Sequence, residues 1–328
     1  MVRKIVVIAG ASAGIGRATA IEFGRQGWRV ALLARSPEGL EGARRDVEAA
    51  GGEALVIPTD VAEQAQVEAA AERVEREWGP IDVWVNNAMA TVFCDALRVS
   101  SEDFVRATSV TYFGSVWGIL AALRRMKPRN AGTIVQVGSA LAYRSIPLQS
   151  VYCGAKSAIR GYIDSLRSEL IHDKSRVHLT MVQLSAFNTP QFDWARNCMG
   201  KRPQPLGKIF QPEIAARGIY WAATHRRREL WVGLPAVEAI LGTRILPGFL
   251  DRRLALKAYD GQLTDERDGP RADNLYAPMP GDRGAHGRFD DRASSSSREL
   301  WWSTHRWNAL AVTLGLLVLL AVSAATAW

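Results

Sequence analysis

The sequence predicts an α/β fold in which a doubly wound parallel sheet lies between two layers of helices. Short β-branched runs alternate with longer helical patterns over residues 1–235, and such alternation implies βαβ units with right-handed crossovers. The first run, residues 4–9, is apolar and bounded by glycine, as expected of a strand buried on both faces. A glycine-rich turn follows it directly. We therefore expect one large domain over residues 1–235.

The predicted elements follow one another in order because glycine and proline mark where the helices end. Gly27 ends the first helix, Gly51-Gly52 the second and Gly79-Pro80 the third. The strands predicted are 4–9, 29–33, 54–58, 83–85, 133–137, 177–182 and 231–232. The helices predicted between them are 17–26, 40–50, 63–77, 101–125 and 155–172.

Three further segments follow the large domain. Residues 236–263 mix apolar side chains with arginine and lysine, which predicts an amphipathic helical cap. Residues 264–300 are rich in Asp, Arg, Gly and Pro, which predicts a flexible linker. Residues 307–328 hold no charged side chain, and a helix of this length would span about 33 Å, enough for a bilayer core of about 30 Å. The sequence therefore predicts a C-terminal transmembrane helix.

The residues around this last segment predict its orientation. Trp307 and Trp328 bound it, as in the aromatic belts of membrane proteins, and Arg298 and Arg306 precede it. The positive-inside rule then predicts a single-pass C-terminal anchor with the large domain in the cytoplasm. The alternative is a buried core or oligomerisation helix.

Composition excludes several other classes of protein. Hydrophobic residues make up 48% of the chain and charged residues 23%, which is typical of a folded domain. Despite the net charge of +8, there is no long Lys/Arg run with interleaved aromatics, so no nucleic-acid partner is expected. Cys94, Cys153 and Cys198 are far apart, which predicts free thiols in a reducing compartment. The histidines lack metal-ligand spacing, so no metal is expected.

The glycine-rich turn indicates a phosphate-binding site. It comprises Gly10, Ala11, Ser12, Ala13, Gly14, Ile15 and Gly16. Glycine lets the backbone approach a pyrophosphate closely, and the helix that follows presents free N–H groups at its positive end. Because the motif lies between a strand and a helix, it predicts dinucleotide binding of the Rossmann type. The alternative is a tight turn without a ligand.

The end of the second strand predicts which dinucleotide is bound. NAD sites usually place an acidic residue there, whereas this sequence has Arg35 and Ser36. Arg35 can pair with a 2′-phosphate through charge-assisted hydrogen bonds, which favours NADP(H). Arg35 could instead be a solvated loop charge.

Two further turns end strands on the same side of the predicted sheet. Asp60 and Val61 end the third strand, where an adenine ring would lie, and Asn87 and Ala88 end the fourth. Ligands of doubly wound sheets bind outside the carboxyl ends of the strands, so these residues are predicted to contact the cofactor. Simple turn chemistry is the alternative, since Asp and Asn favour such positions.

Tyr152 and Lys156 form the predicted catalytic centre with Ser139. Their spacing of four residues puts Tyr152 and Lys156 on one face of a helix. A nearby ammonium, together with the positive charge of a nicotinamide, would lower the pKa of the phenol. Tyr152 would then exchange the proton, and Ser139, after the fifth strand, would orient the substrate oxygen. The cofactor would carry the hydride.

Together these motifs resemble the classical short-chain dehydrogenase/reductase family. The resemblance covers about residues 3–235 and is carried by the glycine turn, Asp60, Asn86-Asn87-Ala88, Ser139 and Tyr152-x3-Lys156. It implies a three-layer Rossmann fold, NAD(P)(H) as cofactor, and alcohols, ketones, sugars, steroids or lipids as substrates. It also implies a homo-oligomer.

The sequence departs from the pattern of this family at several positions. Ala9 stands for a threonine, Met89 for a glycine, and Ser185-Ala186 for Pro-Gly. Thr189 matches the threonine that commonly binds the carboxamide of the cofactor. Thr111 stands where the family has an asparagine that holds a water-linked proton relay to the lysine, so Thr111 is predicted to serve that relay.

The predicted function is the NADP(H)-dependent interconversion of carbonyl and alcohol groups on a small lipophilic substrate. Residues 186–230 are the predicted substrate lobe, and its aromatic residues suit an apolar ligand or are loop packing. These are Phe187, Phe192, Trp194 and Phe210. One alternative is a catalytically weak or idle NADP-binding membrane module, favoured by Thr111. Another is an NAD-linked alcohol dehydrogenase.

Overall fold

A computed structural model of the chain describes residues 3–269 and 271–305. Its strands are β1 Ile5–Ala9, β2 Arg29–Ala34, β3 Glu53–Pro58, β4 Val83–Asn86, β5 Val92–Phe93, β6 Thr133–Val137, β7 His178–Leu184, β8 Ala186–Phe187, β9 Arg196–Asn197, β10 Lys201–Pro203, β11 Ile209–Phe210, β12 Glu229–Val232, β13 Leu263–Arg267 and β14 Ala293–Ser294. Its α-helices are α1 Gly14–Arg25, α2 Pro37–Ala49, α3 Gln64–Trp78, α4 Ser101–Thr108, α5 Gly114–Met126, α6 Ser150–His172, α7 Gln191–Trp194, α8 Pro212–Thr224, α9 Leu234–Ile245, α10 Pro247–Gly261 and α11 Arg298–Thr304.

Seven strands form the predicted parallel sheet, in the order β12-β7-β6-β4-β1-β2-β3. Each neighbouring pair is parallel. The chain builds outward from β1 to β3 and then returns to place β4 on the other side of β1. This reversal opens a crevice at the carboxyl ends of β1 and β4, where doubly wound folds bind their ligands.

Helices cover both faces of the sheet, and each face has its own hydrophobic core. On one face, Trp84 and Ile119 are buried together with Ile163 of α6. On the other face, Phe23 of α1 and Ile219 of α8 pack against the opposite side of the strands. The doubly wound α/β prediction is therefore confirmed, and the continuous apolar character of the strands follows from their burial on two sides.

Two helices differ from the predicted bounds near residues that matter for the site. The predicted helix 101–125 is interrupted by a π-helical turn, Ser109–Phe113, that separates α4 from α5. α6 begins at Ser150 rather than at residue 155, which places Tyr152 within its first turn. Helix propensity alone does not predict these boundaries. The β-branched and aromatic residues near them have low helix propensity, and they are helical because of the side chains they pack against.

The segment predicted as a flexible linker, 264–300, is folded against the large domain. Leu275 is fully buried and Phe289 nearly so. β13 pairs with β10, and β14 adds to the small sheet formed by β11 and β8. The prediction of a flexible linker is wrong because the polar residues of this segment find hydrogen-bond and ion-pair partners on the large domain, and composition does not reveal such partners.

Cys94 and Cys198 form a disulfide, contrary to the prediction of free thiols. Their Cα atoms are 5.2 Å apart although 104 positions separate them in the chain. The parallel pairing of β5 with β9 brings the two residues together, and the Cys198 N–H donates to the Phe93 carbonyl. Sequence spacing misses a contact that depends on this pairing. Cys153 is buried and unpaired with another cysteine, as predicted.

The helices of residues 3–269 and 271–305 do not include one that is both long and apolar enough to cross a bilayer. The predicted transmembrane helix, 307–328, lies outside the described residues. The predicted cap, 236–263, corresponds mainly to α9 and α10.

Candidate active site

Two adjoining cavities lie at the carboxyl ends of the central strands. The first, the glycine-turn groove, has a volume of about 190 Å³, and the second, the α6 cavity, about 260 Å³. They share the lining residues Ile15, Asn87, Met89, Thr189 and Gln191. A molecule in the groove can therefore touch a molecule in the α6 cavity.

The glycine turn has the close backbone approach that the sequence predicted. Gly10 has a φ of +79°, and a Cβ atom there would lie 2.7 Å from the Cα of Ala88. A Cβ atom on Gly16 would lie 1.9 Å from the Gly10 carbonyl oxygen. Neither position can hold a larger residue without backbone movement. The turn therefore brings the N-terminus of α1, at Gly14, to the wall of the groove.

Most residues predicted to bind the cofactor lie around this one groove. They are Gly10, Ser12, Ala13, Gly14, Ile15, Arg35, Ser36, Asp60, Val61, Asn87, Ala88 and Thr189. Gly16 lies behind the turn, against Gly10. Tyr152 and Lys156 instead line the adjoining α6 cavity. Asn86 points away from both, because its amide bonds to the Trp84 ring nitrogen (2.8 Å) and to the Ser115 carbonyl (3.3 Å).

Arg35 lies beside the groove, but its guanidinium is bonded to the C-terminal part of the chain. It donates to the carbonyl oxygens of Asn274, Leu275 (3.3 Å) and Tyr276 (3.0 Å). Burial lowers the pKa of Arg35. Ser36 is also engaged, since its Oγ accepts from the Gly39 N–H (3.1 Å) and caps α2. Both side chains therefore have structural partners at the place where a 2′-phosphate was expected.

Residues 274–284, which we call the strap, form the outer wall of the groove. The strap residues that line it are Asn274, Pro278, Met279, Gly281 and Arg283. One end is held by Arg106, whose guanidinium donates to the Leu275 carbonyl (3.0 Å) and to Asp60 (2.5 Å). The other end is held where the Gly14 N–H donates to the Gly284 carbonyl (3.1 Å). Sequence reasoning missed the strap because its composition resembles that of a linker.

An ion pair fixes the strap between its two ends. Asp282 binds the guanidinium of Arg17 on α1, which also donates to Asp46 on α2 (2.7 Å). The Arg17 side chain is only 6% exposed, so its charge requires such partners. These contacts hold the pKa of the Asp282 carboxyl below its ordinary value, against the opposing effect of burial.

Ser139, Tyr152 and Lys156 come together in the α6 cavity, as predicted. Ser139 follows β6, and its Oγ accepts from the Leu141 N–H (3.1 Å), which fixes the side chain at the start of a 3₁₀ turn. The Lys156 Nζ lies 5.6 Å from the centre of the Tyr152 ring and donates to the Val137 carbonyl (2.8 Å). The serine and the lysine are thus both anchored at the end of β6, with Tyr152 beside them.

Burial dominates the protonation of this centre. It raises the pKa of Tyr152 well above its ordinary value, although the Ser139 side chain lowers that pKa in part. It lowers the pKa of Lys156 to about 8, because the residue is 2% exposed and its ammonium lacks a carboxylate partner among the described residues. The sequence predicts a lowered pKa for this tyrosine. In the protein without a cofactor, the net shift of the Tyr152 pKa is upward. With its pKa raised, the Tyr152 phenol is neutral at pH 7.

Thr111 is buried in the π-helical turn between α4 and α5. Its Oγ1 donates to the Ala90 carbonyl and accepts from the Ala90 N–H, both at 3.0 Å. Its own carbonyl accepts from the Ser115 hydroxyl (2.9 Å). These bonds tie the loop after β4 to the helix, which gives Thr111 a positioning role. Its place in a proton relay remains a prediction.

Two of the four aromatic residues predicted for the substrate site line the α6 cavity, namely Phe187 and Phe192. Trp194 lines the glycine-turn groove instead, and Phe210 is fully buried against Phe187 at a ring distance of 6.0 Å. The other apolar lining residues include Met89, Leu141, Ile146, Leu184, Pro205, Leu206, Pro235, Ala239 and Leu254. The last three belong to α9 and α10, so these two helices form part of the cavity wall.

Sequence reasoning also missed several polar residues of the α6 cavity. They are Arg144, Gln149, Ser185, Gln191 and Gln204. The Gln149 amide donates to Gln262 (2.7 Å), while the buried hydroxyl of Ser185 has no hydrogen-bond partner within the described part of the chain. The departure from Pro-Gly to Ser185-Ala186 was the signal that could have identified Ser185.

Comparison with known proteins agrees with this geometry. A family model described as short chain dehydrogenase matches residues 4–197. An uncharacterized oxidoreductase of Bacillus subtilis, YxnA, is 31% identical over 276 residues, which cover 83% of this chain and 78% of that protein. The 17-beta-hydroxysteroid dehydrogenase 13 of Rattus norvegicus is 36% identical over 167 residues, which cover 51% of this chain and 56% of that protein.

Two solved structures share the fold. A metagenomic short-chain oxidoreductase in complex with NADP has a TM-score of 0.60 and 25% identity, over 70% of this chain and 96% of the other. An alcohol dehydrogenase of the archaeon Thermococcus sibiricus, complexed with 5-hydroxy-NADP, has a TM-score of 0.61 and 26% identity over the same shares of the two chains. The chain belongs to the short-chain dehydrogenase family and is an oxidoreductase of that family.

Proposed function

We propose that this protein is an NADP(H)-dependent reductase that interconverts carbonyl and alcohol groups on a small lipophilic substrate. One observation carries the proposal: Ser139, Tyr152 and Lys156 line an apolar cavity that shares a wall with the glycine-turn groove. Both solved relatives named above were determined with an NADP-type cofactor.

The groove fits a dinucleotide. A Cβ atom on Gly10 or Gly16 would enter the neighbouring backbone, so the turn is kept free of side chains where a pyrophosphate would approach. The end of β2 carries Arg35 rather than an acidic residue, and a carboxylate there would repel a 2′-phosphate. When bound, NADPH would supply the hydride that reduces the carbonyl carbon.

The residues of the chain would handle the proton and the oxygen. The Ser139 hydroxyl, positioned by Leu141, would donate to the substrate carbonyl oxygen. Tyr152, which burial keeps protonated, would give its proton to that oxygen as negative charge develops. The Lys156 ammonium, 5.6 Å from the ring, would stabilise the phenolate that remains. Alcohol oxidation would run the same steps in reverse.

The lining of the α6 cavity supports a lipophilic substrate. Its walls are mainly aliphatic and aromatic side chains. The polar groups among them include Ser139 and Ser185, which follow β6 and β7, and Tyr152 on α6. The name of the rat relative, a hydroxysteroid dehydrogenase, is in keeping with this class of substrate. Long-chain and polycyclic ketones should therefore be reduced with higher kcat/KM than short polar ketones.

The test is NADPH oxidation by the full chain across a panel of carbonyl compounds, with the alcohol product identified. Tyr152→Phe keeps the ring but removes the proton, so turnover should fall by about 10²- to 10⁴-fold while NADPH still binds. Turnover near the wild-type value in this variant would contradict the mechanism. Tight NADPH binding without turnover on any compound would favour the catalytically idle module instead.

We also propose that residues 307–328 attach the protein to a membrane, with the large domain on the cytoplasmic side. The absence of charge from this segment and the tryptophans around it support the proposal. Membrane fractionation should find the full chain in the pellet and a variant ending at residue 300 in the supernatant. The same distribution for both would argue against the anchor.

A further inference from the structure

We infer that Arg283 of the strap, rather than Arg35, supplies the cation that binds the 2′-phosphate of the cofactor. The C-terminal segment would then determine the preference for NADPH over NADH, with Arg283 as a specificity residue. This inference rests on the proposed function and names a residue that lies outside the region matched by the family model, 4–197.

Arg35 is committed to holding the strap. Three backbone carbonyls, those of Asn274, Leu275 and Tyr276, already accept from its two terminal nitrogens. A phosphate could claim this guanidinium only by displacing those carbonyls, which would leave them without donors beside the groove. The side chain therefore acts as a clamp for the strap.

The other arginines around the groove are also paired. Arg17 is bound by Asp46 and Asp282, and Arg106 is bound by Asp60 and by a strap carbonyl. Arg45, on α2, lies 3.7 Å from Asp282. Each of these guanidinium groups already has a carboxylate or carbonyl partner. A phosphate would have to compete with that partner in order to bind.

Arg283 differs because its terminal nitrogens are available. It lines the groove, it is exposed, and its Nε donates to the Pro280 carbonyl (3.1 Å). Within residues 3–269 and 271–305, its two terminal nitrogens have no acceptor. A guanidinium held through Nε, with both terminal nitrogens free, can make the two-pronged contact that phosphate oxygens favour.

The neighbours of Arg283 fix its backbone on both sides. Asp282 is bound to Arg17 on α1, and the carbonyl of Gly284 accepts from the Gly14 N–H at the start of that helix (3.1 Å). The carboxylate of Asp282 also lies close to Gly42 of α2, since a Cβ atom there would be 2.1 Å from it. The backbone at Arg283 is therefore held between α1 and α2, and Arg283 lines the same groove as Ser12 and Ser36.

This region is where the second ribose-linked phosphate is expected. The 2′-position of a dinucleotide in a Rossmann site lies near the end of β2, next to the glycine turn. Ser12 and Gly39 are in close contact there, since a Cβ atom on Gly39 would lie 3.0 Å from the Ser12 Cβ. The strap thus brings one cation with open donors to the position where the two dinucleotides differ.

The experiment compares NADPH and NADH affinity of the full chain by fluorescence, without any substrate. Arg283→Ala should weaken NADPH binding by about 10- to 100-fold and leave NADH binding within about threefold, because only NADPH has the 2′-phosphate. Arg283→Lys should recover part of the loss. The control is Arg298→Ala, which removes the same charge from an exposed position on α11 and should alter neither affinity.

Arg35→Ala separates the two arginines. This variant should weaken the binding of both dinucleotides to a similar degree. It should also lower the melting temperature, because it loosens the strap. A selective loss of NADPH affinity in Arg35→Ala, with no such loss in Arg283→Ala, would overturn the inference while leaving the proposed function intact. A wild-type chain that binds neither dinucleotide would overturn the proposed function itself, and the inference with it.

Discussion

The two halves of the cleft are built in opposite ways. In the α6 cavity, Ser139, Tyr152 and Lys156 lie within 18 positions of one another, and the lysine ammonium is buried with one carbonyl as its partner. In the glycine-turn groove, Arg17 and Asp282 meet across 265 positions, and their charges are paired. The α6 cavity is built from residues close together in the sequence, and its buried ammonium has no anionic partner among the described residues. The glycine-turn groove is closed by a distant segment through compensated charges.

The difference between the two halves implies that activity and stability respond differently to substitutions in each half. A buried ammonium disfavours the folded state, and such a group persists where its reactivity is needed. Ion pairs that tie a distant segment to the domain act on stability and on ligand binding together. Removal of the buried charge in the α6 cavity should therefore reduce turnover and raise stability, whereas substitutions in the strap should reduce stability and cofactor affinity.

The largest effect is expected at Lys156, where activity and stability should change in opposite directions. Lys156→Met fills a similar volume without the charge, so turnover should fall by about 10²- to 10⁴-fold. Burial lowers the pKa of Lys156 to about 8, so removal of the charge should relieve a desolvation cost of about 3 kcal/mol. The lost hydrogen bond to the Val137 carbonyl should cost about 1 kcal/mol in the opposite direction. The free energy of unfolding at pH 7 should therefore rise by about 2 kcal/mol.

Urea unfolding and steady-state kinetics on the same preparations check this prediction. Lys257→Met on the exposed face of α10 is the matched control and should change stability by less than about 0.5 kcal/mol. A Lys156→Met protein that is less stable than wild type would break the comparison, because it would show that the ammonium is well compensated.

The next effect tests the backbone of the glycine-turn groove. Gly16→Ala would place a Cβ atom 1.9 Å from the Gly10 carbonyl oxygen, so the turn must move and dinucleotide affinity should fall by about 100-fold or more. Gly161→Ala on α6 is the matched control, because a Cβ atom there meets nothing within 4 Å. That variant should bind normally and gain about 0.5–1 kcal/mol of stability. Equal affinities in the two variants would refute the close approach.

A smaller effect appears in the pH dependence of the α6 cavity. Lys156 loses its proton as the pH rises through about 8, so kcat/KM for carbonyl reduction should fall by about tenfold per pH unit above that value. Its folded-state pKa lies below the ordinary lysine value, so the unfolded chain binds more protons between these two values. The contribution of Lys156 to stability should therefore rise with pH in the same window. A pH profile of kcat/KM that stays flat from pH 7 to pH 10 would contradict this assignment.

The smallest effect concerns the strap. Asp282→Asn removes one carboxylate from Arg17 while leaving Asp46, and Asp282 is partly exposed, so the free energy of unfolding should fall by only about 1 kcal/mol. Because the pKa of Asp282 is held below its ordinary value, its contribution to stability is present above the ordinary aspartate pKa and is lost as the pH falls through the folded-state value. Thermal melts at pH 7, with the exposed Asp265→Asn as control, measure this difference.

The parts of the site that the sequence predicted are those set by short-range pattern. Tyr152 and Lys156 are four positions apart on one helix, and the glycine turn lies between a strand and the helix that follows it. Such spacing fixes which side chains share a face, whatever else surrounds them. The parallel sheet was predictable for the same reason, since strands buried on two faces are apolar throughout.

The structure differs from the sequence-based expectation where a residue has a partner far along the chain. The type of residue at Arg35 predicts a phosphate ligand, and the structure adds that its guanidinium bonds to carbonyls about 240 positions later. The polar composition of residues 264–300 predicts a linker, yet Leu275 and Phe289 are buried. Cys94 and Cys198 gave no signal because only the pairing of two short strands joins them.

The sequence by itself therefore determined the parallel α/β sheet, the glycine turn and the Ser139, Tyr152 and Lys156 centre, because local periodicity and spacing dictate them. Only the tertiary structure decided which charges remain available at the glycine-turn groove. Electrostatic pairing depends on distance in space, and the strap brings carbonyls to Arg35 and a carboxylate to Arg17 from the far end of the described chain.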